Sequence, residues 1–273
     1  MTLCIAAACQ YRNKPRIITC SDWKSSSSFG STETADKLRW LKKPNWVALV
    51  AGDAAKAETL VRTYRLALAG SEIAEDNALL LFSNIAIAHL KWLKNSFVQR
   101  RHGVTYEHFR QKGKREFPES VFLTTHMEAE KIDLGSSLIV AGFVRHGRAM
   151  KPLICTVARD GEVSITDHFE AIGEGRYVAT PPLLRRQYSS TVSLMDAIYR
   201  LYEAKTLAEI VPSVGEDTSI DILYPDGTLE QVSSKKGYDL LDVMWKKYGP
   251  KYNIVKPRLE KKYFESLDFA SLH

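Results

Sequence analysis

The chain has 273 residues, of which 45% are hydrophobic, and a formal net charge of +6. That length can bury a sizeable core, and one large domain over residues 1–250 is expected because no shift in composition marks a linker. No run approaches the roughly 18 apolar residues of a membrane span, and the amino terminus lacks the basic-then-apolar order of a secretory signal, so a cytoplasmic protein with no membrane partner is expected.

Residues 2–9 and 16–22 are two apolar runs joined by a polar stretch that contains Pro15, which predicts an antiparallel hairpin returning Asp22 to the side of the first residues. Thr2 opens the first run. If Met1 is removed, one residue carries both a hydroxyl nucleophile and a free α-amine, and such an amine titrates near 7.7–8.0, roughly where a general base is useful. The small second side chain favours that trimming.

A serine-rich stretch, Ser25 to Ser28, reads as an exposed turn, and residues 36–41 and 46–51 read as two further strands. The period then changes. Asp53 is a good helix cap, and Ala57, Leu60, Val61, Tyr64 and Leu68 recur at helical spacing until Gly70. A second helix is expected over about 76–94, with His89 packed on its apolar face. Two helices after a strand meander imply a helical layer over a sheet.

Residues 97–133 lose simple periodicity and mix Arg100, Arg101, Arg110, Lys112, Lys114 and Arg115 with aromatics, including Tyr106, Phe109 and Phe117. Such a mixture can bind nucleic acid. The commoner origin is a solvated basic insertion whose aromatics anchor it to the body, so no nucleic-acid partner is expected.

Strands follow at 137–143, 153–158 and 163–171, then helices at about 176–188 and 193–208, a hairpin at 219–224 and 229–232, and a helix over about 235–248 before a basic tail, 251–273. Cys4, Cys9, Cys20 and Cys155 lie in apolar strand-like runs without the paired spacing of a zinc site or disulfide framework, and they read as reduced core residues. No metal site is assigned to His102, His108 or His126.

Thr2, Ser21-Asp22, Asp36-Lys37-Leu38, Ala51-Gly52-Asp53-Ala54 and Ser137-Leu138-Ile139-Val140-Ala141-Gly142 together resemble the proteasome-type N-terminal nucleophile (Ntn) hydrolase family, in particular its bacterial proteasome-like (A/B-subunit) proteins. Ala171-Ile172-Gly173-Glu174-Gly175 and Ser219-Ile220-Asp221-Ile222-Leu223 extend the likeness across about residues 2–248. The resemblance implies an α+β fold, a four-layer αββα sandwich of two mainly antiparallel sheets between helical layers. It further implies a homo-oligomer, as a ring or related assembly, and a threonine-type peptidase acting on peptide or protein substrates without metal or organic cofactor.

The resemblance also assigns roles. Thr2 is the nucleophile, Lys37 sits beside it and keeps the terminal amine neutral, and Asp22 pairs with Lys37. Three places depart from the family pattern. A gapless match puts Leu49 at the glycine whose backbone N–H supports the oxyanion. Glu174 replaces the serine of Gly-Ser-Gly, where a salt bridge to the amine is one use for it and ordinary turn chemistry another. The acidic and serine pair before the last hairpin has no clean match among Ser213, Glu216 and Asp217. Two alternatives remain, a non-catalytic structural subunit that keeps Met1 and an amidase of small molecules on the same scaffold.

Overall fold

The computed structural model describes residues 2–27, 30–32, 36–43, 45–70, 73–147, 149–232 and 235–249. Met1 and the tail 251–273, both subjects of sequence expectations, lie outside the described residues.

Strands β1 (Leu3–Tyr11) and β2 (Lys14–Asp22) form the expected hairpin, tied by Arg12 and Asn13 at positive φ. Residues 25–28 were expected to be an exposed turn. Instead β3 (Ser25–Ser27) pairs with β4 (Gly30–Thr32), and Ser28 lies outside the described residues. β5 (Leu38–Lys42) and β6 (Trp46–Gly52) follow, and then α1 (Ala54–Leu68), where the Asp53 carboxylate accepts from the Ala55 and Lys56 N–H groups as a helix cap should.

The second helix runs eight residues past its expected end, as α2 (Ala78–His102), and the stretch expected to be irregular contains α3 (Tyr106–Glu116) and α4 (Glu119–Glu130). The aromatics here do not anchor an irregular segment to the body. Phe109, Val98 and Ala129 form a satellite core of their own, with Phe117 and Phe122 packed against it. So few apolar positions leave a narrow stripe on short helices, which is why the period is faint in the sequence.

β7 (Ser136–His146) and β8 (Ala149–Val157) extend the meander. The run expected as one strand over 163–171 is two, β9 (Val163–Thr166) and β10 (Phe169–Gly173), because the chain changes sheets at Asp167 and His168. Helices α5 (Arg176–Arg185) and α6 (Leu194–Ala208), the hairpin of β11 (Thr218–Leu223) and β12 (Leu229–Gln231), and α7 (Lys235–Tyr248) complete the order.

The fold is α+β with two five-stranded antiparallel sheets, β10-β1-β2-β11-β12 and β5-β6-β7-β8-β9. Side chains on β1 alternate between two cores, as the period of a strand requires. Leu3, Ile5, Ala7 and Cys9 face a cluster shared with α5 and α6, whereas Cys4, Ala6 and Ala8 face a cluster shared with the other sheet. On the far side of that second sheet, Trp46, Ala48, Leu138 and Val140 pack with Leu60, Tyr64 and Phe82 of α1 and α2. This packing is compatible with a sandwich. All four cysteines are buried and free. Among the described residues no helix is long and apolar enough to cross a membrane.

Candidate active site

Thr2 precedes β1 in the parity of Cys4 and Ala6, and it is 2% exposed. Its hydroxyl donates to Asp22 Oδ1. Asp22 is 0% exposed, and its carboxylate is saturated. Oδ1 also accepts from the Leu3 N–H (2.7 Å), and Oδ2 accepts from the N–H groups of Lys24 (3.2 Å) and Gly215 (3.1 Å). Four donors for two oxygens fill the acceptor capacity of a carboxylate, which is how a buried anion remains tolerable.

The hairpin brings these groups together. The β1–β2 register sets Cys4 opposite Ser21, so Asp22 falls beside Leu3 at the strand end, and β11 closes the other side with Thr218 opposite Asp22.

Thr2 lines a cleft of about 560 Å³ with Gly52, Asp53, Lys56, Gly173 and Glu174. Gly173 adopts φ +92°, and a Cβ there would lie 2.0 Å from the Thr2 carbonyl oxygen. Only glycine lets the β10 end approach the start of β1 this closely. Glu174, on the cleft wall, accepts a 2.7 Å hydrogen bond from the Ser213 hydroxyl. A serine is therefore present at this wall, supplied by the turn before β11, and it is engaged with the glutamate that stands in the Gly-x-Gly.

Lys37 does not pair with Asp22. Among the described residues no ion pair joins them, and the ammonium instead donates to the Lys24 carbonyl at 2.6 Å. Asp22 needs no cation because four hydrogen-bond donors already surround it. Lys37 is nevertheless part of the neighbourhood. Burial pushes the Cys4 thiol well up, Asp22 adds to the rise, and Lys37 opposes it.

Leu49 is not at the cleft. Successive amides in an antiparallel strand point to opposite neighbours. The Asp53 N–H donates to the Gly135 carbonyl and the Val50 N–H to the Lys37 carbonyl, each at 3.1 Å. The Leu49 amide thus points with Asp53 toward β7, while its side chain packs between the sheets. The amide of Gly52 points the other way, to the β5 side, where the described pairing begins at Leu38 opposite Leu49. Gly52 is exposed in the cleft at φ +129°. Counting back three residues from the helix-opening Gly-Asp passes over this glycine; the end of the strand, read as the last residue before the Asp53 cap, is the signal that finds it.

Lys56, Arg159 and Arg176 set three cations on the cleft against the carboxylates of Asp53 and Glu174. Asp53 is occupied by the α1 cap, Glu174 by Ser213, and Arg159 by Asp133 at 3.0 Å. Among the described residues no group of three or more His, Cys, Asp or Glu side chains is placed to hold a metal ion. His89 is a packed residue, 2.9 Å from the Thr63 hydroxyl through Nδ1, and burial lowers its pKa.

The cations of residues 97–133 are matched by acids. Seven Lys and Arg stand against six Asp and Glu there. Arg101 pairs with Glu128, Arg110 with Glu107 at 3.1 Å, and Lys94 reaches Glu130 at 3.0 Å.

No protein-family model matches the chain, and no curated protein matches it.

Proposed function

We propose that the chain is a threonine-type peptidase of the proteasome kind, an Ntn hydrolase whose nucleophile is Thr2 once Met1 has been removed. The observation that carries this reading is the Thr2 hydroxyl, bonded to a fully buried and saturated Asp22, on the wall of a cleft that can receive a peptide. The αββα layering implied by the resemblance agrees with the order in which helices and sheets pack.

In this mechanism Asp22 orients the Thr2 hydroxyl. The new α-amine takes the hydroxyl proton, Oγ forms a bond to the peptide carbonyl carbon, and the Gly52 N–H, not that of Leu49, meets the developing oxyanion. Breaking the C–N bond transfers the proton to the leaving amine and leaves an ester on Thr2, which water hydrolyses with the α-amine again as base. Glu174 faces the same cleft, where an amine and its neighbouring carboxylate attract.

One observation favours the second reading, a non-catalytic subunit that retains Met1. Lys37 is directed to the Lys24 carbonyl and is not paired with Asp22. A Thr2 whose nitrogen is an amide has no basic group of its own.

Intact mass spectrometry of the protein made in cells separates the two. A chain beginning at Thr2 that gains one mass of a threonine-directed epoxyketone is the expected result. Thr2→Ala should then lower peptide hydrolysis by roughly 10⁴-fold with the circular dichroism spectrum unchanged. A retained Met1 and no adduct would sink the peptidase. The same reading places the protein in the cytoplasm as a homo-oligomer. Light scattering tests the assembly, and a 30.8 kDa monomer at micromolar concentration would contradict it.

A further inference from the structure

Lys205, in the last turn of α6, is 0% exposed, and nothing in the proposed chemistry uses it. A buried ammonium is costly unless fully partnered. Its Nζ donates to Glu209 Oε1 at 2.7 Å and to the backbone carbonyl of Glu216. Glu209 is one helical turn further on and keeps part of its surface in water, so it supplies a counter-charge without itself being trapped.

The Glu216 carbonyl belongs to the turn that serves the site. Within residues 211–217, the Gly215 N–H donates to Asp22 Oδ2 at 3.1 Å, the Ser213 hydroxyl donates to Glu174 Oε2 at 2.7 Å, and the Asp217 carbonyl accepts from the Trp23 N–H at 3.3 Å. Val214 anchors the turn in the core beneath α6. Lys24 adds a clasp from the outside, with its Nζ 2.8 Å from the Pro212 carbonyl. Lys205 is the clasp from the inside.

We propose that Lys205 is a positioning residue for the Thr2 site, holding the 211–217 turn so that Gly215 and Ser213 present their donors to Asp22 and Glu174. The inference rests on the peptidase reading for its catalytic consequence and on geometry alone for the brace. A rigid supporting layer matters because small displacements of a catalytic group cost large factors in rate.

The variant that tests it is Lys205→Met, which keeps the length and apolar stem and removes the charge. In the full chain, amide exchange at Gly215 and Trp23, read by NMR, should quicken about tenfold or more, since local opening then no longer breaks the Lys205 bond. On a fluorogenic peptide kcat should fall roughly 10- to 100-fold with KM little changed, and Lys205→Arg should restore most of the loss. Unchanged exchange would overturn the brace, and quicker exchange with an unchanged kcat would overturn the positioning role. If the wild-type chain trimmed of Met1 hydrolyses no peptide, the peptidase reading fails while the exchange comparison still decides the brace. Should Lys205→Met not fold, Glu209→Gln takes its place. That variant alone cannot decide the brace, because it keeps the Glu216 bond, so Lys205→Gln, too short to reach the Glu216 carbonyl, is measured beside it, and wild-type exchange in Lys205→Gln would overturn the proposal.

Discussion

The Thr2 site and the arm of α2, α3 and α4 handle charge in opposite ways. The arm carries 13 Asp, Glu, Lys and Arg residues within residues 97–133, and its ion pairs lie at the surface. The site has one fully buried carboxylate, Asp22, with no cation paired to it among the described residues, and it is held by three backbone N–H groups and one hydroxyl. Abundant exposed pairs are worth little each, because water already solvates both partners, whereas a single buried anion makes every donor around it necessary. Density of charged residues is therefore a poor guide to where the proposed chemistry lies.

The largest test of that contrast is Asp22→Ala. It strands two buried N–H groups and one partly buried one at about 1–3 kcal/mol each, so a loss on the order of 5 kcal/mol is expected in urea denaturation, together with loss of any Thr2 reactivity. A loss below about 1 kcal/mol would mean the buried carboxylate is not structurally central.

Phe109→Ala should cost about 4 kcal/mol, yet locally. Phe109 is the fully buried centre of the satellite core, so exchange protection should fall in α3 and α4 while that of β1 and β2 is kept. Loss of protection in both regions together would show that arm and body unfold as one unit.

Asp221 offers a second buried carboxylate with poorer company. It is 7% exposed, burial pushes its pKa up to about 6 from an ordinary 3.8, and a 3.2 Å hydrogen bond from Ser219 opposes the rise. The folded chain thus holds this proton over a window where the unfolded chain has released it, so stability falls as pH rises from 3.8 to about 6. Asp221→Asn should stabilise the protein by on the order of 3 kcal/mol above that window and by nothing below it. Denaturation midpoints at about pH 3 and about pH 8 measure the difference, and an equal effect at both would refute the sign.

The smallest effect is expected where charges are densest. Arg101→Ala removes the partner of Glu128 on the arm and should change stability by less than about 1 kcal/mol, the change shrinking as salt is raised. A larger loss would mean that the stacking of Arg101 over Phe97, at 4.4 Å from the ring centre, contributes more than the ion pair.

Much of the fold was legible in the chain. The β1–β2 hairpin and the Asp53 cap are local devices, written in runs of a few residues, and each stands where the pattern puts it. The buried cysteines follow from their apolar neighbours. What failed were features set by distant partners. The switch of sheets at Asp167 and His168 depends on which strand each half pairs with, and a continuous strand pattern carries no mark of it. The arm's helices depend on a small core assembled from three segments.

The candidate site divides in the same way. By itself the sequence determined that a hydroxyl opens the first strand and that Asp22 returns beside it, since both follow from a hairpin of fixed register. Tertiary structure decided the rest. It directed the Leu49 amide into a ladder and left Gly52 at the cleft, gave Lys37 a carbonyl in place of Asp22, and brought Ser213 and Gly215 from the far end of the chain onto Glu174 and Asp22. The reason is that a backbone donor's direction and a lysine's partner are set by whatever packs across from them, and one such neighbour of Asp22, Gly215, lies 193 residues away in the chain.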